Sequence, residues 1–247
     1  MSKVSRTQLF KIAARLSLLQ STWFEGGMQA IGLCYCLIPG LRAIYSNSDD
    51  LKAALLRYQA PFNTHPFMAG IIVGMLLRME EEKTPPSDIS TFARNAMGLL
   101  AALADPFFKS ALPTFVCVIA CLTAMVGGAI AGIVTIVIAF NAIHLAVRFM
   151  GVSLGYTEGM NVLKRVAGWI SPMRTAKLKR ASAVGAGVVL SFFAIRFGSP
   201  ISQQLLLSIV AAASAIAAAY VLTIWRKPAR LVIPVTLAAV VLVEVIL

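Results

Sequence analysis

Charge is what this chain has least of. Only 13% of its 247 residues are Asp, Glu, Lys or Arg, against 59% hydrophobic residues and a mean hydropathy of +0.83. Water-soluble domains carry about 25% charged residues, so an ordinary aqueous enzyme is excluded, and so is a disordered chain, which would need few apolar side chains. Cysteine is also scarce. Cys34, Cys36, Cys117 and Cys121 lie inside apolar runs with no His, Asp or Glu at ligand spacing, which reads as packed thiols and excludes a disulfide scaffold or a local zinc site. Two histidines, His65 and His144, are too few for a His-based centre, so no metal and no cofactor is expected. What remains is an integral membrane protein, all-α.

Acids are the rarer charge: 10 Asp and Glu face 22 Lys and Arg, a net +12. In a membrane protein such an excess is first a topology signal. No nucleic-acid module accompanies it, and nucleic acid is not an expected partner. No nucleotide loop, G-x-S-x-G elbow, H-E-x-x-H or kinase motif is present either, so no autonomous catalytic residues are expected.

Residues 7–19 place Leu9, Phe10, Ala13, Leu16 and Leu19 near helical spacing with Lys11 and Arg15 elsewhere, an amphipathic helix expected at the membrane interface. No continuous apolar stretch follows the early cations as a signal peptide requires, and a retained, cytoplasmic N-terminus is expected. Apolar runs at 28–41, 67–77 and 96–104 are each too short for a hydrocarbon core of about 30 Å. Such segments are either re-entrant half-helices, as in transporters, or buried helices of a partly cytoplasmic lobe. From 111 to 147 the chain is apolar for about 37 residues, too long for one span, and Gly127-Gly128 is the expected fold of a hairpin with arms 112–126 and 129–147 that returns Lys109 and Arg148 to one side.

Residues 149–182 carry six cations against the single acid Glu158 and are expected in the cytoplasm. Beyond them lie apolar segments at 183–197, 205–225 and 231–247, with cations crowding the loop of Arg226, Lys227 and Arg230, so the C-terminus is expected outside. The whole divides into an interfacial N-terminus (1–27), a membrane region of short segments plus hairpin (28–148), a basic segment (149–182) and C-terminal transmembrane helices (183–247). About five spanning helices are expected after residue 110.

Polar side chains beside the short segments are the candidate site, because charge near a membrane interior is costly. Trp23, Glu25 and Gln29 stand at the entry to the first segment. With Gln20 they supply an aromatic face, a carboxylate and two amides, the groups that recognise sugars, or else an interfacial Trp with capping residues. Asn63, Thr64 and His65 precede Pro66, where a helix start would offer either a cap or free N–H groups to a ligand oxygen. Glu80 and Glu81 open an acidic run at a helix end, where carboxylates oppose the dipole. Asp105-Pro106 reads as an N-cap with Pro at the first turn, and Asn141 and His144 as one face packed on protein.

Three stretches, LLQSTWFEGGMQAIGLCYCLIP, FNTHPFMAGIIVGMLLRMEEEK and AFNAIHLAVRFMGVSLGY, resemble the enzyme IID membrane component of the mannose/fructose/sorbose family of bacterial phosphotransferase systems, over roughly residues 7–165. The resemblance implies a multi-pass protein of the bacterial cytoplasmic membrane that forms a hetero-oligomeric permease with a IIC membrane subunit. It also implies that cytoplasmic IIA and IIB components carry the phosphohistidines. The substrate would be a hexose bound by Trp23, Glu25, Gln29, Asn63, Thr64, His65, Glu80 and Glu81. Membrane lipid is a further expected partner. A non-transporting scaffold or sensor that docks cytoplasmic phosphotransferase proteins is the alternative. The chain departs from the family pattern at 24–27, which lacks an arginine, and at 98–105, which lacks a Pro and two Gly.

Overall fold

The computed structural model describes residues 3–196, and all regular structure among them is helical apart from isolated bridges at Phe24–Met28 and Met28–Phe62. Residues 3–183 belong to one compact unit. A second unit begins at Val184, and its described part is the rest of one helix. The segments expected at 205–225 and 231–247, and the external C-terminus, lie outside the described residues.

Helix α1 (Arg6–Arg15) is started by a capping box: Gln8 N–H donates to Ser5 Oγ, and Ser5 N–H donates to Gln8 Oε1 at 2.7 Å. Its apolar stripe of Leu9, Ile12 and Ala13 is buried in the protein core rather than laid on a membrane surface. Helix α2 (Ala30–Ile44) follows, then α3 (Ser48–Arg57), whose Asn47 cap, acidic first turn and terminal Arg57 all complement the helix dipole.

Helix α4 (Ala69–Glu81) is the centre of the unit. Ten of its 13 residues are buried, and at about 20 Å it is shorter than a bilayer core. Gly70 and Gly74 on α4 face Gly151 and Gly155 on a later helix, and the backbones approach so closely that a Cβ built at Gly74 would lie 2.6 Å from Tyr156 N. Small residues four apart on both helices are what allows that approach.

The third apolar run belongs to a longer element, α5 (Pro86–Pro106), which passes through a π-helical turn at Phe107–Ala111 into α6 (Leu112–Glu158). Asp105 therefore does not cap a new helix. Pro106 lacks the N–H that would close an ordinary turn, and the chain accommodates it by widening one turn instead of starting again. Gly128, with φ 81° and ψ 174°, breaks α6 into two arms, and Thr123 Oγ1 donates to Thr135 Oγ1 across them at 3.0 Å, so the apolar stretch folds back at the glycine pair. Pro86–Glu158 is long and apolar enough to cross a membrane, and its arms leave Val126, Ile130, Ile133 and Ile138 exposed.

The basic stretch is helical, made of the end of α6, α7 (Asn161–Trp169) and the start of α8 (Pro172–Arg196). Val162, Val166 and Ile170 form the buried stripe of α7 and its cap.

Candidate functional site

A polar cleft of about 280 Å³ opens where the loop before α2, the loop before α4, the C-terminal end of α5 and the second arm of α6 converge. Its frame is a two-point amide pairing. The Gln29 side chain donates from Nε2 to Thr64 O at 2.9 Å and accepts the Thr64 N–H at Oε1 at 3.0 Å, while Gln29 N–H donates to Phe62 O at 2.8 Å. Gln29 is thereby consumed in shaping the 62–65 loop. Thr64 Oγ1 donates to Met97 O at 3.1 Å, tying that loop to α5.

His65 is buried. Its Nδ1 accepts the Phe67 N–H at 3.3 Å, so the proton of the neutral ring sits on Nε2. Burial holds its pKa down at about 4, with Asp105 opposing and Lys109 assisting, so His65 meets a ligand as a neutral donor rather than a cation. The ring rests 5.1 Å from Phe108 and 4.9 Å from Phe67, which also stacks on His144 at 4.6 Å. His144 does sit on a protein-facing surface; Asn141 is exposed and bonds back to Val137 O of its own helix. The expected helix start at Pro66 is displaced: residues 66–68 form a turn, and α4 begins at Ala69 because Thr64 is engaged with α5 and does not cap.

Asp105, Lys109 and Arg148 complete the cleft, with Gln20 at its edge. Lys109 Nζ donates to Asp105 Oδ2 at 2.8 Å, but Asp105 Oδ1 is buried with no hydrogen-bond partner. Arg148 donates from Nη1 to Ser17 Oγ at 3.1 Å and lies over the Phe67 ring, while its Nε is buried and unpartnered. Stranded buried polar atoms cost about 1–3 kcal/mol each, and a functional site is the usual reason to carry them. One cleft is thus lined by an acid and a cation that each keep a buried polar atom unpartnered, by a neutral imidazole and by the Phe67 ring.

Of the eight residues singled out from the sequence, the structure brings Gln29, Asn63, Thr64 and His65 to this cleft. Trp23 and Glu25 stand exposed on the connecting loop and do not line it. Glu80 and Glu81 are at the far end of α4, about 20 Å away along the helix. Glu80 is 1% exposed and accepts from Tyr45 Oη at 2.6 Å, Tyr58 Oη at 2.5 Å and Arg57. Glu81 accepts from Tyr156 Oη and from Lys3 N–H. Sequence reasoning placed Gln20 in the first polar cluster without assigning it to the site, and missed Lys109 and Arg148 as lining groups. It read Asp105 as a cap, though an acid and two cations returning to one side of an apolar hairpin were a usable signal.

An all-helical unit whose long apolar hairpin is rooted in a polar cleft has the build of a membrane-embedded component. Residues 3–204 match the profile of the PTS system mannose/fructose/sorbose family IID component, and the chain belongs to that family. It is 32% identical over 172 residues to the mannose-specific EIID component of Escherichia coli K12, covering 67% of this chain and 60% of that protein. It is 30% identical over 171 residues to the fructose permease IID component of Bacillus subtilis, covering 67% of this chain and 62% of that protein. The chain thus spans about three-fifths of the length of the curated relatives it matches. Among solved structures, a chain of the mannose transporter ManYZ in complex with microcin E492, determined by cryo-electron microscopy, superimposes with a TM-score of 0.60 at 26% identity, over 81% of this chain and 73% of that one. A second, described as a membrane protein, gives 0.61 at 28% identity, over 77% and 70%.

Proposed function

We propose that this chain is the IID subunit of a sugar-importing phosphotransferase permease of the bacterial cytoplasmic membrane, and that the cleft beside His65 is its share of the hexose site. One observation carries the reading: Asp105 and Arg148, which line the same cleft, each keep one buried polar atom, Oδ1 and Nε, without a partner. A sugar hydroxyl both donates and accepts, so it can satisfy both atoms, while its C–H faces rest on Phe67. Gln29 and Thr64 hold the loop in place, and Asn63, exposed beside them, adds an amide that can turn to a hydroxyl. Trp23 and Glu25 lie on the loop whose two ends, Gln20 and Gln29, line the cleft. They are placed to meet a IIC subunit closing the site from above.

The match to membrane phosphotransferase components supports this partnership, with the phosphoryl chemistry supplied by IIA and IIB. Glu80 and Glu81 support the site at a distance, by fixing the far end of the helix that follows it.

The test is uptake in cells carrying the whole system. Asp105→Asn keeps the shape but makes the free acceptor ambiguous, and Arg148→Met removes the free donor. A hydrogen bond to a charged group is worth about 1.5–3 kcal/mol, so each substitution should lower uptake roughly 10- to 100-fold. Membrane abundance should hold for Asp105→Asn, because its exposed pair with Lys109 contributes little stability. Normal uptake by both variants at equal abundance would remove the cleft from the proposal.

A further inference from the structure

A second cavity, larger than the sugar cleft, lies on the same unit between α4, the π-helical turn, the end of α6 and α7. It holds about 360 Å³, and of its fifteen lining residues only Arg165 is charged; Met68, Phe107, Ile143 and Val162 are typical of the rest. Cavities of 300–1,000 Å³ are the size of small-molecule sites, and one lined this way would stay free of water. Left empty, its walls would lose dispersion contacts on one side.

The rim says what fills it. Ile143, Met150 and Trp169 stand exposed at the edge, so the cavity opens between apolar lips on a unit that carries an apolar membrane hairpin. Arg165 lies over the Trp169 ring at 5.6 Å, and exposed Lys164 precedes it on α7. Glu158 accepts from one Arg165 nitrogen, and the guanidinium retains further donors. The surrounding segment 149–182 holds six cations against that one acid. A dry slot of chain-like lining with a tryptophan and cations at its mouth matches a lipid whose tail is apolar and whose headgroup is anionic.

We infer that this cavity binds one anionic phospholipid, an acyl chain inside and its phosphate against Arg165 and Lys164. The site is separate from the sugar cleft and does not depend on the sugar reading. Bound there, the lipid bridges α4 and α7 through Met68 and Val162.

The full-length protein, purified in mild detergent and offered equal amounts of phosphatidylglycerol and phosphatidylcholine with matched acyl chains, is weighed intact by native mass spectrometry. One phosphatidylglycerol per chain should be retained, about fivefold in preference to phosphatidylcholine. Ala146→Phe, which fills the mouth, should lose both lipids while melting at the unaltered temperature. Lys164→Ala with Arg165→Ala should keep a lipid but lose the preference. If Ala146→Phe does not fold, Ile143→Trp at the exposed lip makes the same comparison. Equal retention of the two lipids by the unaltered protein, or full retention by a folded mouth-filling variant, would overturn the assignment.

Discussion

Glu80→Ala should cost about 3–5 kcal/mol, the loss typical of a buried ion pair broken from one side. The carboxylate is the common acceptor for Arg57, Tyr45 and Tyr58, and it joins α3 and the end of α2 to α4. Removing it leaves a guanidinium, itself only 15% exposed, and two hydroxyls with no acceptor in a dry site. Burial and then the Glu80 carboxylate push Tyr45 up to about 12 and Tyr58 well above its ordinary value, so both phenols stay neutral and donate to the carboxylate. The double variant Arg57→Leu, Glu80→Met should be milder than Glu80→Ala alone, because it removes both charges and leaves packed apolar volume. Thermal unfolding in detergent measures this directly; a Glu80→Ala protein that melts with the unaltered one would show the cluster to be idle.

Gly155→Ala should be worse than its one added methyl suggests. The new Cβ would fall on Ile71 O and lie 3.1 Å from Met75 N, and Gly74→Ala would drive a Cβ onto Val152 O from the other side. These obstacles are backbone, which cannot rotate away, so α4 and α6 must separate along their whole contact. Overpacking of this kind costs about 3 kcal/mol, and here it acts on a helix with ten of its 13 residues buried. Gly98→Ala, where a Cβ meets nothing within 4 Å, is the control and should be neutral or slightly stabilising on helix propensity. The contrast is read from yield and melting temperature of the three variants.

These two interactions show what sequence periodicity conveys and what it does not. An all-helical membrane protein with a hairpin folding at Gly127-Gly128 was legible, because length, hydropathy and a glycine pair are local signals. The short segments were legible as too short to span, but not their surroundings: α4 is apolar on every face because protein encloses it, and lipid would demand the same composition. Gly70-x-x-x-Gly74 and Gly151-x-x-x-Gly155 are visible spacings whose meaning required knowing that the two helices meet. Half of the site candidates reach the cleft because they cluster around Pro66 and the first segment. Glu80 and Glu81 resemble ligands in sequence for the reason that makes them structural: carboxylates at a helix end oppose the dipole unless something else holds them. Arg148 was legible as the end of the hairpin but not as a site residue, because it lies more than 80 positions from His65 and only the return of the hairpin brings the two together.

Occupancy of the cleft by sugar can be read from the protection of a single lining position. Ala101 lines it, whereas its neighbour Ala102 faces a different hollow beside Pro172 and Lys179. Cysteine is placed at either position in protein whose exposed Cys117 and Cys121 are replaced by alanine, co-expressed with its membrane partner in vesicles. Reaction with a small maleimide is then followed with and without saturating transported hexose. Sugar should slow modification at Ala101→Cys several-fold, as a ligand filling a site does, and leave Ala102→Cys unchanged. Equal rates at Ala101→Cys with and without sugar, in vesicles that still take the sugar up, would contradict the assignment of the site.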